Sequence, residues 1–285
     1  MSEIAVDRAV LDSFAITLPG EHADKEERGR VLIVGGSNEV PGAVLLAGMA
    51  ALRVGAGKLR LATTRSAAVP LAVAVPEARV FALDETAAGA LASTAADAVA
   101  DAAAAVDAVV LGPGIIDVDA AGPLIEAIAS AERPKVVLDA GALLCLAERA
   151  RRDVCTPLAG RLVLTPNRSE LASIGERDVA ALAHDLGAVV SLKGSTTRTF
   201  TPDGCVYADS SGNPGLATSG SGDVVAGAAG GFLARGASPL AAAVWANHVH
   251  GIAGERLAER VGPIGFIARE LADELPRVLA ALAAV

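Results

Sequence analysis

A carboxylate stands beside a glycine-rich turn in the stretch from Gly212 to Arg235, GNPGLATSGSGDVVAGAAGGFLAR. Residues 220–223, Gly-Ser-Gly-Asp, precede a small, apolar run that predicts a buried helix. Glycines leave backbone N–H groups accessible at the start of a helix, where the helix dipole favours an anion. A carboxylate at the edge of a phosphate site suits the activation of a hydroxyl for phosphoryl transfer. A helix that begins with an aspartate and packs tightly through its glycines explains the same residues, so both interpretations stay open here.

The composition excludes several classes of function. The chain has 285 residues and a net charge of -9, which argues against nucleic acid as the main partner. No segment holds about 20 apolar residues without breakers, and the N-terminus lacks the apolar core of a signal peptide. The three cysteines are widely spaced with no CxxC pair, which is typical of reduced thiols. We therefore expect a cytoplasmic protein with no membrane partner.

Strands and helices alternate along the chain. Short apolar runs predict strands at 31–34, 58–63, 79–83, 108–111, 136–138, 162–164 and 189–192, and helices are expected at 43–54, 87–105, 223–234, 239–260 and 267–283. This order predicts an α/β fold with a mostly parallel sheet and helices on both faces. The runs at 198–201 and 206–208 predict a hairpin. We expect one domain over residues 1–285, with 1–28 as a surface lead-in.

Special residues follow five of the predicted strands. They are Gly35-Gly36-Ser37, Gly112-Pro113-Gly114, Asp139, Thr165-Pro166-Asn167 and Lys193-Gly194. Ligands of open α/β sheets bind at the carboxyl ends of the strands. Each group alone is explained by ordinary turn chemistry. Their joint placement predicts a single cleft, which the turn at 220–223 completes.

Six blocks of the chain resemble the carbohydrate-kinase-like domain of the ADP- or ATP-dependent NAD(P)H-hydrate dehydratases, which have the ribokinase-like fold. The blocks are GRVLIVGGSNEVPGAVLLAGMAALRVGAGKLRLAT, VLGPG, LDAGAL, LTPNRSE, SLKGSTT and NPGLATSGSGDVVAG. The resemblance runs from about residue 29 to the C-terminus, and its first and last blocks are the specific ones. The epimerase domain often fused to this family is expected to be absent, since only a short lead-in precedes residue 29.

The resemblance implies a lyase that repairs damaged NADH and NADPH. Such enzymes phosphorylate the hydroxyl that water has added to the nicotinamide ring, and loss of phosphate then restores the dinucleotide. Asp223 matches the carboxylate that would accept the hydroxyl proton. The residues that would bind ATP or ADP are Lys193, Gly194, Ser195, Thr196, Thr197, Gly220, Ser221 and Gly222. Those that would bind the NADH or NADPH hydrate are Ala43, Gly114, Asn167 and Asp223.

Two positions on the substrate side depart from the family pattern. Thr-Pro-His-x-Gly-Glu is replaced by TPNRSE at 165–170, and Asp-Ala-Asp by DAG at 139–141. Asn167 and Glu170 lie about one helical turn apart and could hold a hydrated Mg²⁺, as in the Asn-x-x-Glu pattern of ribokinase-like kinases. A capping box explains the same pair.

These departures keep two other functions open. The Asn-x-x-Glu pattern supports a kinase for a hydroxymethylpyrimidine or thiazole alcohol, and the lost residues support an inactive nucleotide-binding sensor.

His248 and His250 are two residues apart on a helix, so they face different directions and make a poor metal pair. The sequence does not separate ATP from ADP. The helices rich in alanine and glycine could pack against a second subunit or only against the sheet, so a homo-oligomer also stays open.

Overall fold

The computed structural model describes residues 3–14, 16, 26–147 and 152–283. The strands are β1 (Glu3–Ala5), β2 (Arg30–Val34), β3 (Lys58–Thr64), β4 (Ala78–Leu83), β5 (Ala108–Leu111), β6 (Lys135–Leu138), β7 (Leu162–Leu164), β8 (Val189–Leu192), β9 (Thr197–Phe200) and β10 (Val206–Asp209). The helices are α1 (Arg8–Ser13), α2 (Gly42–Arg53), α3 (Arg65–Ala74), α4 (Ala96–Ala104), α5 (Val118–Ala129), α6 (Gly141–Leu144), α7 (Arg168–Ser173), α8 (Val179–Leu186), α9 (Ser221–Ala234), α10 (Pro239–Val261) and α11 (Ala268–Ala283). Short 3₁₀ turns lie at Ser93–Ala95, Cys145–Ala147, Asp153–Leu158 and Pro214–Leu216.

One sheet runs through the described residues in the order β1-β10-β9-β8-β7-β6-β5-β2-β3-β4. The strands from β8 to β4 pair in parallel, while β9 is antiparallel to both β8 and β10. The predicted parallel sheet and hairpin are therefore confirmed. The central strands are continuous runs of Val, Leu and Ile because helices bury both of their faces.

Two hydrophobic layers lie on opposite faces of this sheet. Val31, Ile33 and Val110 point to the layer that contains α2, α9, α10 and α11. Leu32 and Leu111 point to the other layer, which contains α4, α5 and α8. The alternation follows from the two-residue period of a strand. Helices on both faces are thus confirmed, and none of the described helices is long and apolar enough to span a membrane.

The structure shows elements that differ from the predicted ones in three places. Residues 3–14 of the expected lead-in form β1 and α1, and β1 pairs with β10 at the edge of the sheet. The helix expected at 87–105 is confined to α4, because a turn and an isolated bridge between Glu85 and Leu91 precede it. Helix α3 was not predicted, since Pro70 lies inside it. The sequence also predicts a helix from the end of β6 to residue 150; its first part forms α6 and the 3₁₀ turn Cys145–Ala147, and residues 148–151 lie outside the described residues.

Candidate active site

The turn before α9 has the geometry of an anion site. Gly220 has a φ of 84°, in the left-handed region that favours glycine. A Cβ atom there would lie 2.5 Å from Leu46 Cδ1, so a larger residue would have to displace that side chain. Helix α9 then begins at Ser221, and the amide groups of its first turn have no partner within the helix. Asp223 lies in this first turn.

Lys193 connects the end of β8 to this helix start. Its Nζ donates to Asp139 Oδ1 over 2.9 Å. A Cβ atom at Gly222 would lie 3.2 Å from the same Nζ, so the ammonium group lies against the first turn of α9. The structure therefore brings together Lys193, Gly222 and Asp223, which the sequence predicted to share one cleft.

Asp139 belongs to the same cluster, and the sequence did not predict its partners. It follows β6 and is buried, with 2% of its surface exposed. Its Oδ1 accepts from Lys193 Nζ and also from Thr165 Oγ1, at 2.7 Å. One carboxylate oxygen thus joins the ends of three parallel strands, β6, β7 and β8.

Three carboxylates surround this single ammonium group. Burial, reinforced by the negative charge of Asp139, raises the pKa of Asp223 to about 7, although Lys193 opposes the shift. Burial also raises the pKa of Glu170, with Lys193 opposing and Asp139 adding to the shift. Burial alone would lower the pKa of Lys193, but Asp139 and Glu170 raise it above its ordinary value. Asp223 can therefore exchange a proton near neutral pH, as a general base needs to do.

His250 supports the same helix start from α10. Its Nε2 lies 2.9 Å from Ser221 Oγ, and both residues are buried. Burial and the nearby Lys193 charge lower the pKa of His250 to about 4, so the ring is neutral at neutral pH. His248, two residues earlier, pairs instead with Asp209 Oδ2 at 3.1 Å. The two histidines face different partners, as their spacing predicted.

Asn167 and Glu170 form the capping box of α7. Asn167 Oδ1 accepts from the Glu170 N–H at 2.9 Å, and Glu170 Oε2 accepts from the Asn167 N–H at 2.8 Å. The Lys193 N–H donates to Pro166 O at 2.9 Å, which holds this box beside the end of β8. Among the residues that the structure describes, no three His, Cys, Asp or Glu side chains group as a metal site.

The rest of the predicted nucleotide segment is more accessible. Gly194 and Ser195 are exposed, and Thr196 Oγ1 lies 3.3 Å from Ser210 Oγ. Thr197 begins β9. A Cβ atom at Gly194 would lie 3.9 Å from Arg168 Nε, so a second cation borders this segment. Arg168 was not singled out from the sequence, because one arginine at the start of a helix carries no recognisable signal.

Ala43 and Gly114 are neighbours at the loops that follow β2 and β5. A Cβ atom at Gly114 would lie 3.2 Å from Ala43 Cβ and 2.5 Å from Val40 O. The Gly36 N–H donates to Pro113 O at 2.7 Å and ties the two loops together. These two predicted substrate positions are therefore neighbours, with Ala43 buried, and their contact with a substrate stays a prediction.

The departure at Gly141 has a steric explanation. A Cβ atom at Gly141 would lie 2.3 Å from Ile115 O, so the aspartate of the family pattern does not fit this arrangement. Ala140, just before it, has a φ of 47° and a ψ of -122°. These are the angles of the first central residue of a type II′ turn, where glycine is usual. Backbone strain therefore lies directly beside Asp139.

The sequence matches the family model described as NAD(P)H-hydrate dehydratase over residues 31–277. A protein of Xanthomonas campestris pv. campestris, named ADP-dependent (S)-NAD(P)H-hydrate dehydratase, is 45% identical over 92% of this chain and 92% of its own length. Other relatives are named bifunctional NAD(P)H-hydrate repair enzymes, and the chain spans about half of their length.

Two solved structures resemble this fold over nearly the whole chain. A ribokinase-like superfamily protein of Enterococcus faecalis V583 has a TM-score of 0.81 at 23% identity and covers 98% of this chain and 95% of its own. The ADP/ATP-dependent NAD(P)H-hydrate dehydratase of Bacillus subtilis, co-crystallized with ATP and Mg²⁺, has a TM-score of 0.78 at 27% identity and covers 97% of each chain. The predicted ribokinase-like fold is therefore confirmed.

Proposed function

This chain belongs to the NAD(P)H-hydrate dehydratase family, and from that premise we propose that its cleft repairs hydrated NADH and NADPH at the expense of a nucleotide. The observation that carries the proposal is the position of Asp223. Its carboxyl group, with a pKa raised to about 7, lies in the first turn of α9, beside the Lys193 ammonium group. A base and an anion site occur together there, as phosphoryl transfer to a hydroxyl requires.

The reaction has two steps. Asp223 accepts the proton of the ring hydroxyl while the hydroxyl oxygen attacks the terminal phosphorus of the nucleotide. The bond between that phosphorus and the rest of the nucleotide then breaks, and the shortened nucleotide leaves. The product is a phosphate ester on the nicotinamide ring. Cleavage of the ring C–O bond then releases phosphate, and loss of a proton from the adjacent carbon restores the ring double bond.

Two sets of groups hold the transferring phosphoryl group in this proposal. The backbone donors are Gly220 and the first-turn amides of α9, Ser221 and Gly222, of which the Ser221 N–H would have to leave Thr218 O, to which it donates at 3.2 Å. Lys193 supplies the positive charge, and Thr196 and Thr197 supply hydroxyl groups at the start of β9. His250 keeps Ser221 in place without adding a charge, since its ring is neutral.

The donor is ATP or ADP, accompanied by Mg²⁺. Glu170 would help to hold the Mg²⁺, whose charge would offset the negative charge of the phosphate oxygens. Mg²⁺ keeps most of its waters and needs only one or two carboxylates, so Glu170 fits it even though Oε2 already accepts from the Asn167 N–H. Burial raises the pKa of Glu170, and a bound cation would favour the charged form of its carboxylate. We also infer a cytoplasmic location.

The alternative of a small-molecule kinase rested on the Asn-x-x-Glu pattern. The capping box between Asn167 and Glu170 accounts for that pattern without a kinase. The relatives' names also favour repair of NAD(P)H hydrates over phosphorylation of an unrelated alcohol or loss of activity.

A single assay separates the three functions. The protein is incubated with Mg²⁺, either ATP or ADP, and each candidate substrate in turn: hydrated NADH, a hydroxymethylpyrimidine and a thiazole alcohol. We expect the NADH absorbance to return, with one phosphate released for each NADH restored. A stable phosphorylated product from a pyrimidine or thiazole alcohol, with no NADH recovered, would support the kinase, and the absence of any turnover would support the sensor.

A further inference from the structure

Asp139 is the residue on which the charged groups of the cleft converge. Its side chain is 3% exposed and its Oδ1 accepts two donors, Lys193 Nζ and Thr165 Oγ1. Lys193 in turn lies against Gly222 in the first turn of α9. The carboxylate therefore acts at a distance on the helix start, through the ammonium group that it holds.

We propose that Asp139 is a positioning residue for the reaction: its carboxylate holds the Lys193 ammonium group over the first turn of α9 and keeps it from pairing with Asp223. This inference rests on the function proposed above. Lys193 is then directed toward the incoming phosphoryl group, and Asp223 stays available to the substrate hydroxyl.

The backbone around Asp139 is built to fix this carboxylate. A Cβ atom at Gly112 would lie 1.7 Å from Asp139 O, so the loop after β5 packs directly on the Asp139 backbone. The next residue, Ala140, has the strained φ of 47°. The Ala142 N–H closes the turn by donating to Asp139 O at 3.1 Å. Strain of this kind persists only where the surrounding structure holds it in place.

Three charged groups act on Asp223, and a fourth element contributes a neutral ring. Asp139 follows β6, Glu170 lies in α7, Lys193 follows β8, and His250, in α10, is neutral at neutral pH. Removing the charge of Asp139 takes away a neighbouring negative charge and releases the ammonium group. Both changes favour the ionised form of Asp223, because Lys193 can then pair with it.

The test compares Asp139→Asn with wild type and with Asp209→Asn. Asp209 is a matched control, because it is also buried and paired, with His248 and the Ser211 N–H, and its charge is not among those that shift the pKa of Asp223. For Asp139→Asn we expect kcat to fall about a hundredfold, as for a catalytic group displaced by about 1 Å, while the KM for nucleotide changes little. We also expect the acid limb of kcat/KM to move to lower pH. Asp209→Asn should leave that limb in place and kcat near wild type.

A measurement on the ligand-free protein separates this proposal from the proposed function. The carboxyl of Asp223 is followed by NMR in ¹³C-aspartate-labelled wild type and Asp139→Asn. A titration at lower pH in Asp139→Asn supports the coupling even if wild type fails to restore NADH. If Asp139→Asn does not fold, Lys193→Met replaces it, and the Asp223 titration should then move to higher pH. An unchanged Asp223 titration or acid limb would overturn the proposal.

Discussion

Asp223 is half-buried and His250 is buried, and their pKa values move in opposite directions. Burial and Asp139 raise the pKa of Asp223 to about 7, above its value in the unfolded chain. Burial and Lys193 lower the pKa of His250 to about 4, below its value in the unfolded chain. As the pH rises from about 4 toward 7, the raised pKa of Asp223 lowers the free energy of unfolding, while the lowered pKa of His250 raises it. In the wild type the two contributions oppose each other over this range.

Replacing Asp223 removes one side of this balance. We expect Asp223→Asn to raise the free energy of unfolding at pH 8 by on the order of 2 kcal/mol, a value discounted for the half-buried position. The gain over wild type should shrink as pH falls from about 7 to 4, because the folded wild type then protonates Asp223. Denaturant unfolding of both proteins at pH 5 and pH 8 measures it. A gain that does not depend on pH would contradict the raised pKa.

Helix α10 shows how one element connects the separate parts of the cleft. Asn247 Nδ2 donates to Ser191 Oγ in β8 at 2.6 Å, and His250 contacts Ser221 at the start of α9. Glu255 Oε1 accepts from the Gly212 N–H at 2.7 Å and so holds the loop before α9. The strand that carries Lys193 and the helix that carries Asp223 are thus fixed to the same support.

Helix α9 approaches α2 closely through its glycines. A Cβ atom at Gly227 would lie 2.0 Å from Ala47 O, which is backbone and cannot turn away. We expect Gly227→Ala to lower the free energy of unfolding by about 3 kcal/mol or more, at the upper end for overpacking. The control is Gly42→Ala at the start of α2, where a Cβ atom would meet nothing within 4 Å. That change should alter the free energy of unfolding by only about 0.5 kcal/mol, in the stabilising direction, since alanine favours a helix.

Thermal or denaturant unfolding of these two glycine variants decides the point. Equal effects of Gly227→Ala and Gly42→Ala would show that the spacing between α9 and α2 is not what requires glycine. The small side chains let α9 pack closely against α2, and this packing places the start of α9 at the cleft.

Sequence patterns predicted well those elements whose burial is visible in their own residues. The central strands were found because a strand buried on both faces is a continuous apolar run, as in VLIV of β2. Strand β1 was missed because its three residues are exposed and depend on pairing with β10, about 200 residues away. Helix α3 was missed because Pro70 interrupts its pattern, although the helix accommodates it.

At the scale of the whole molecule, the cleft forms because parallel strands end at one edge of the sheet. This rule predicted that Gly114, Asp139, Asn167 and Lys193 would share an edge with the start of α9. It does not predict which side chains touch. The pair of Asp139 and Lys193 joins residues 54 positions apart, and the contact of Ile115 with Gly141 depends on the path of a loop. Both contacts depend on the three-dimensional path of the chain.

The central claim is that nucleotide phosphate is transferred to the ring hydroxyl before that oxygen leaves. Hydrated NADH prepared in H₂¹⁸O carries the label in this hydroxyl. With ATP or ADP as donor, we predict that wild type releases inorganic phosphate that contains one ¹⁸O atom for each NADH restored, and that Asp223→Asn binds nucleotide but releases almost none. Unlabelled phosphate with the ¹⁸O recovered in water would contradict the account, as would near-normal turnover by Asp223→Asn.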